Sequence, residues 1–195
     1  MDIFNICYNP INETIVIPHY DINGNLIGIR ERTLIKENEV YGKYKPAYIN
    51  GLMYNHPLGF NLYGLNKSKD NIKNMQMAFV FESEKSTLQY ASFMGLENNL
   101  SCACCGSAFI NYQFKLLYSL GVKEIVIGFD KQFQKAGDEE WKRWTKKLED
   151  IHNKYGSLCQ ISFLFDTTNL LDYKDSPTDK GKDIFLELFK RRIKL

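Results

Sequence analysis

Ala78-Phe79-Val80-Phe81-Glu82-Ser83-Glu84-Lys85-Ser86 holds four apolar residues in a row and then turns acidic and polar. An unbroken apolar run of that length suits a short strand covered on both faces, and a carboxylate just after it stands at the rim of the sheet. Three other stretches read as strands in the same way: Leu100-Ser101-Cys102-Ala103-Cys104, Ile125-Val126-Ile127-Gly128-Phe129 and Ile161-Ser162-Phe163-Leu164-Phe165. The last two are followed directly by Asp130 and Asp166. Helical patterns alternate with the runs. One covers 87–94, and one covers 107–120 with Ser107 as N-cap and Gly121 as the stop. A third is capped by Asp138 and repeats Trp141, Trp144, Leu148 and Ile151 at helical spacing. The last, over 179–192, puts Ile184, Phe185, Leu188 and Phe189 on one face. This alternation predicts an α/β fold: a mostly parallel four-stranded sheet flanked by helices, with right-handed crossovers.

Upstream, the pattern changes. Lys, Asp, Asn and Ser replace apolar residues over 66–74, which divides a small β-rich subdomain (1–74) from the α/β domain (75–195). Thr14-Ile15-Val16-Ile17 and Leu26-Ile27-Gly28-Ile29 flank Asp21-Ile22-Asn23-Gly24-Asn25. Asn-Gly supplies the positive φ angles of a tight turn, so a β-hairpin is expected there. Between 41 and 65 the dense Gly, Pro and Tyr predict short strands and ordered loops, with aromatic rings in place of a helical core.

The 195 residues, 44% of them apolar and 25% charged, can build a packed core and exclude global disorder and coiled coil. No apolar run approaches the ~20 residues that span a bilayer, and no leader pattern opens the sequence, so a soluble, cytoplasmic protein without a membrane partner is expected. A net charge of +2 does not by itself call for a polyanion. Five cysteines, three of them bunched at 102–105, read as reduced thiols. Residues three apart on a strand point to opposite faces, so Cys102 and Cys105 do not form a natural zinc pair. The basic run from Lys190 to Lys194 suits the end of a helix.

Ligands of open parallel sheets sit beyond the carboxyl ends of the strands. Neighbouring strands lie about 4.7–4.9 Å apart, so acids ending them repel and raise each other's pKa unless a cation intervenes. Mg²⁺ accepts such oxygens and keeps waters for a substrate phosphate. Glu82, Asp130 and Asp166, with Asp172, Asp175 and Asp179 further on, are the acids so placed; helix capping is the competing role.

The ordered set Phe81-Glu82-Ser83-Glu84-Lys85-Ser86, Cys105-Gly106-Ser107 and Gly128-Phe129-Asp130 resembles the TOPRIM domain of primases and topoisomerases. Tyr173-Lys174-Asp175-Ser176-Pro177-Thr178-Asp179-Lys180-Gly181 is similar to the segment after the fourth strand in primases. Upstream, Ile17-Pro18-His19-Tyr20-Asp21, Gly24, Ile27-Gly28, Arg32, Lys43-Tyr44 and Leu62-Tyr63-Gly64-Leu65 resemble the small basic subdomain that precedes TOPRIM in bacterial-type DNA primases. Topoisomerases and TOPRIM nucleases lack that leading module.

The resemblance implies a nucleotidyltransferase that makes short RNA primers on single-stranded DNA from NTPs, using Mg²⁺ or Mn²⁺. Glu82 and Asp130 are then the catalytic metal ligands, with Glu84 and Asp175 as further candidates and Asp179 after them. Arg32, Lys43, Tyr44 and Lys85 become candidates for nucleotide or template binding, and Tyr41, Tyr48 and Tyr54 for base stacking. The chain departs from the family at three points. Asp130-Lys131-Gln132 replaces Asp-x-Asp, Ser86 replaces an acid, and Leu58 stands near a usual basic position. A zinc-binding module and a helicase-binding tail, both absent, point to an excised core or a phage or mobile-element relative whose partners include a replicative helicase or a separate zinc-binding module. A degenerate protein that only binds single-stranded nucleic acid and a TOPRIM nuclease are the alternatives.

Overall fold

The structure, a computed structural model, describes residues 2–195. The chain divides into two compact units, one ending at Pro57 and the other Leu58–Leu195.

The first unit is built on an antiparallel sheet in the order β1 (Cys7–Asn9), β2 (Thr14–Tyr20), β3 (Leu26–Thr33), β4 (Tyr44–Pro46). The expected hairpin joins β2 to β3. Its turn is organised by Asp21, whose carboxylate accepts the N–H groups of Asn23 and Asn25 at 2.9 Å each and the Asn25 amide at 2.9 Å. These bonds, led by that of the Asn25 side chain, hold the Asp21 carboxyl below its ordinary range. Gly24, at φ +89°, takes the left-handed position. A second hairpin, β5 (Tyr48–Ile49) to β6 (Leu52–Met53), turns at Asn50-Gly51, both at positive φ. Within this unit the buried rings of His19 and His56 are hydrogen-bonded at 2.9 Å. The tyrosines, expected to form the core here, do otherwise: Tyr41 and Tyr48 are exposed. A polar hydroxyl on a short strand or turn is satisfied more cheaply by water than by burial.

The second unit carries a five-stranded sheet in the order β11-β10-β9-β7-β8. Along the chain run α1 (Leu65–Met75), β7 (Met77–Phe81), α2 (Glu84–Met94), β8 (Ser101–Ala103), α3 (Asn111–Ser119) and β9 (Glu124–Gly128). Then come α4 (Glu139–Tyr155), β10 (Gln160–Phe163), α5 (Lys182–Lys190) and β11 (Ile193–Lys194). Strands β8, β7, β9 and β10 are parallel, as expected, and β11 adds an antiparallel edge. That edge corrects the end of the chain. The helix stops at Lys190, Arg192 pairs with Glu124 at 2.7 Å, and Ile193 lies opposite Phe163.

Two helices differ from expectation. The polar stretch over 66–74 is not a spacer but most of α1, which packs on β7 and β8 by burying only Leu65, Ser68 and Ile72. Ser107 does not cap α3. The helix begins at Asn111, and the buried Gln113 side chain accepts the N–H of Ile110 at 3.1 Å in place of a capping hydroxyl. Asp138 does cap α4, accepting the Trp141 N–H at 2.7 Å.

Phe81 lies opposite Gly128 in the β7–β9 register. A methyl group on Gly128 would come within 2.7 Å of the Phe81 ring and 3.2 Å of Leu164. Gly128→Ala is therefore expected to destabilise the second unit by about 1–3 kcal/mol through overpacking, read as a lower midpoint in urea with the slope unchanged.

Candidate metal and phosphate site at the strand ends

Because β7 and β9 are neighbours in parallel register, the chain leaves both at the same sheet edge. Glu82 follows Phe81, and Asp130 follows Gly128 and Phe129. The aromatic pair beneath them is fully buried, so the carboxylates rise from an apolar floor. Burial pushes the Glu82 carboxyl above its ordinary range against the pull of the Lys147 ammonium. Asp130 is pushed up to about 7, first by burial and then by the negative charge of Glu82; Lys85 and Lys147 oppose that rise, and Asp179 adds to it.

Two lysines answer the acids. Lys147, from α4, places Nζ 3.4 Å from Glu82 and over the rings of Phe129 (4.6 Å) and Trp144 (5.2 Å). Lys85, in the first turn of α2, pairs with Asp179 at 2.6 Å. Burial alone would raise Asp179; the bonds from Lys85 and the Ser176 N–H hold it below its ordinary range instead. A hydroxyl chain fixes this pair. Ser86 Oγ donates to Ser176 Oγ at 2.8 Å, Ser176 meets Thr178 at 3.2 Å, and Thr178 donates to Gln89 at 2.9 Å. Ser86 thus joins α2 to the loop that presents Asp179.

The other acids are engaged elsewhere. Asp175 accepts the Asp172 N–H at 3.0 Å and pairs with Lys180 at 3.3 Å, organising its own loop. Glu84 is buried in the first turn of α2, a position where the helix dipole favours an acid. Asp166, although it follows a strand, is not at the site. It accepts the N–H groups of Thr168, Leu170 and Leu171 and pairs with the buried Lys131 at 3.0 Å. These bonds lower its carboxyl although burial would raise it. Lys131, the residue between Asp130 and Gln132, therefore serves the fold.

Asp130 Oδ1 is buried and has no hydrogen-bond partner. A buried carboxylate oxygen without a donor beside a second carboxylate suits a hard divalent cation, which needs oxygen ligands and cancels the repulsion. The donor set of Glu82 and Asp130 fits Mg²⁺ or Mn²⁺. Nothing in the sequence marks Lys147, because its role depends on how α4 packs, which no local spacing encodes; Asp179, read from sequence as a metal-ligand candidate, is engaged by Lys85 instead.

In the first unit, Arg30 and Arg32 lie two apart on β3, with guanidinium carbons 5.2 and 5.7 Å from the ring centre of Tyr44 on β4. Arg32 Nε is buried without a partner. Lys43 pairs with Glu39 at 3.6 Å. The cysteines at 102 and 104 are buried, and desolvation pushes both thiols up, that of Cys104 to about 12. No helix among the described residues is long and apolar enough to cross a membrane.

No protein-family model matches the chain. It is 40% identical, over 96% of its length, to the SPbeta prophage-derived uncharacterized protein YorJ of Bacillus subtilis (strain 168), and covers 52% of that protein. Among solved structures it superimposes on the zinc-binding and RNA polymerase domains of the Aquifex aeolicus primase with a TM-score of 0.66 and 22% identity, over 93% of this chain and 41% of that one. The E. coli primase catalytic core gives 0.66 and 20%, over 94% and 53%. A DnaG primase catalytic domain bound to single-stranded DNA gives 0.66 and 19%, over 97% and 56%. The chain spans about half the length of the prophage relative, and its fold is that of the bacterial DnaG primase catalytic core.

Proposed function

We propose that the chain is the core of a primase-type, TOPRIM-containing nucleotidyltransferase that joins ribonucleotides on a single-stranded DNA template. The observation that carries this is the pair Glu82 and Asp130 at adjacent strand ends, with an unpartnered Asp130 oxygen, in a primase fold. Mg²⁺ or Mn²⁺ held by the two carboxylates would supply charge to the reacting phosphate and lower the pKa of the attacking hydroxyl. Lys147 and Lys85 add positive charge beside the acids, where the pyrophosphate leaving from a nucleoside triphosphate would develop negative charge. Arg30 and Arg32 with Tyr44 offer a cationic, aromatic strip for a strand. A helicase and a zinc-binding module are the partners such a core would borrow.

Incubation with a single-stranded template, labelled NTPs and Mg²⁺ or Mn²⁺ tests this. Short ribonucleotide products are expected, reduced at least ~10³-fold by Glu82→Gln, which removes a metal ligand without altering shape. Shortening of the template would instead indicate a nuclease. A second reading, a protein that binds single-stranded nucleic acid without catalysis, is favoured by one observation: the Lys147 ammonium already lies at Glu82, where a catalytic ion would sit. Strand binding without products, unchanged by Glu82→Gln, would establish it.

A further inference from the structure

On the face of α4 that carries Lys147, the side chains of Arg143, Lys146 and Lys154 line the same open cleft of about 360 Å³, walled on its other side by the loop of Ser107 and Phe109 that follows β8. Arg143, Lys146 and Lys154 are exposed, and among the described residues no carboxylate lies within ion-pair distance of them. Arg143 spends one N–H on the Glu139 carbonyl, at 3.3 Å, and Lys154 lies 5.2 Å from the Tyr155 ring centre. Asp150 is the one acid in the lining, against four cations. Holding unpaired cations together on one helix face is electrostatically unfavourable unless an anion arrives.

The dimensions indicate which anion. Arg143 and Lys154 stand eleven positions apart on α4, a row of about 16 Å at 1.5 Å per residue. That length suits more than one successive phosphate of a strand, whereas the triphosphate of one nucleotide covers only part of it. Phe109 and Tyr155 in the cleft are buried, so no ring is free to stack on a base. The contacts available are to phosphates, which orient a strand without reading its sequence. Lys147 belongs to both the cleft and the Glu82 contact, so a backbone lying along the row passes beside the acidic pair.

We propose that the cleft between α4 and the loop after β8 binds the sugar–phosphate backbone of a single-stranded nucleic acid and leads it to Glu82 and Asp130. The inference rests on the primase-like reading and assigns a path along this unit that the motif residues do not name.

The test uses the whole chain and fluorescein-labelled oligo(dT) in anisotropy titrations at several salt concentrations. The triple variant Arg143→Gln, Lys146→Gln, Lys154→Gln is compared with a control of equal charge loss on other helices, Lys67→Gln, Lys115→Gln, Lys182→Gln. All six side chains are exposed, so folding is not at risk. The cleft variant is expected to bind about tenfold or more weaker, with a salt slope shallower by about 2, since each lost single-strand contact removes ~0.7. The control is expected to bind within about twofold of the wild type. Equal losses in both variants would mean a diffuse field and overturn the site. Unchanged strand binding, with a raised KM for NTP in primer synthesis, would assign the cleft to the nucleotide and overturn it as well. No binding by the wild type would defeat both this inference and the proposed function. A cleft-dependent affinity without any primer synthesis would uphold the cleft while removing the polymerase.

Discussion

Replacing Asp130 by asparagine is expected to raise the unfolding midpoint of the metal-free protein by several degrees at pH 8, and to leave it nearly unchanged at pH 4. The folded carboxyl titrates at about 7, above its ordinary 3.8. Between those values the native state holds a proton that the unfolded chain has released. Stability therefore falls as pH rises through this window, and the full penalty is present above it. A shift of ~3 units corresponds to at most ~4 kcal/mol, which solvent access and relaxation reduce to about 1–3 kcal/mol. For a chain of this size that is roughly 2–4 °C per kcal/mol. Asparagine cannot ionise, so it escapes the penalty, but it also forfeits the ligand. Mn²⁺ or Mg²⁺ should stabilise the wild type increasingly above pH 7 and have no such effect on Asp130→Asn. Calorimetric scans at two pH values, with and without metal, read both halves. Equal destabilisation by the variant at pH 4 and pH 8 would show that Asp130 carries no strained charge.

The second large effect concerns the residue beside it. Lys131→Met should lower stability by about 3 kcal/mol, within the ~3–5 kcal/mol typical of stranding one member of a buried ion pair. Lys131 Nζ is buried and donates to Asp166 at 3.0 Å, to the Leu171 carbonyl at 2.9 Å and to Asn169 at 3.3 Å. Methionine fills similar volume but leaves the Asp166 charge without its cation. Asp166 keeps three backbone N–H donors, which places the cost at the lower end of that range. The double variant Lys131→Met, Asp166→Asn should recover part of the loss, because no ion is then stranded. Urea unfolding of the two variants checks this. A single variant as stable as the wild type would mean that the pair is solvated in solution.

These two neighbours, Asp130 and Lys131, mark where local sequence stops being informative. Asp130 and Asp166 both follow a phenylalanine at the end of an apolar run, and nothing in either run separates them. Their fates differ because Lys131 reaches across to Asp166, while Asp130 is left facing Glu82. Asp175 and Asp179 lie four residues apart in one segment; the first ties its own loop, and the second meets Lys85 because the Ser86–Ser176 bond brings that segment to α2.

What could be read directly was whatever depends on periodicity and on backbone chemistry near in sequence. The largely apolar runs at 78–81, 125–129 and 161–165, the Asn23-Gly24 turn and the Asp138 cap act within a few residues, and each appears as a strand, a hairpin or a helix start. Helix α1 hid because its buried face consists of only Leu65, Ser68 and Ile72, too little apolar signal to stand out from its lysines and asparagines. The alternating pattern therefore determined that the sheet is parallel and that carboxylates stand along one edge of it. Which carboxylates share a field, which lysine answers them, and which pair merely holds a loop were decided by tertiary packing, because electrostatic coupling depends on distances between residues that the chain brings together only when folded.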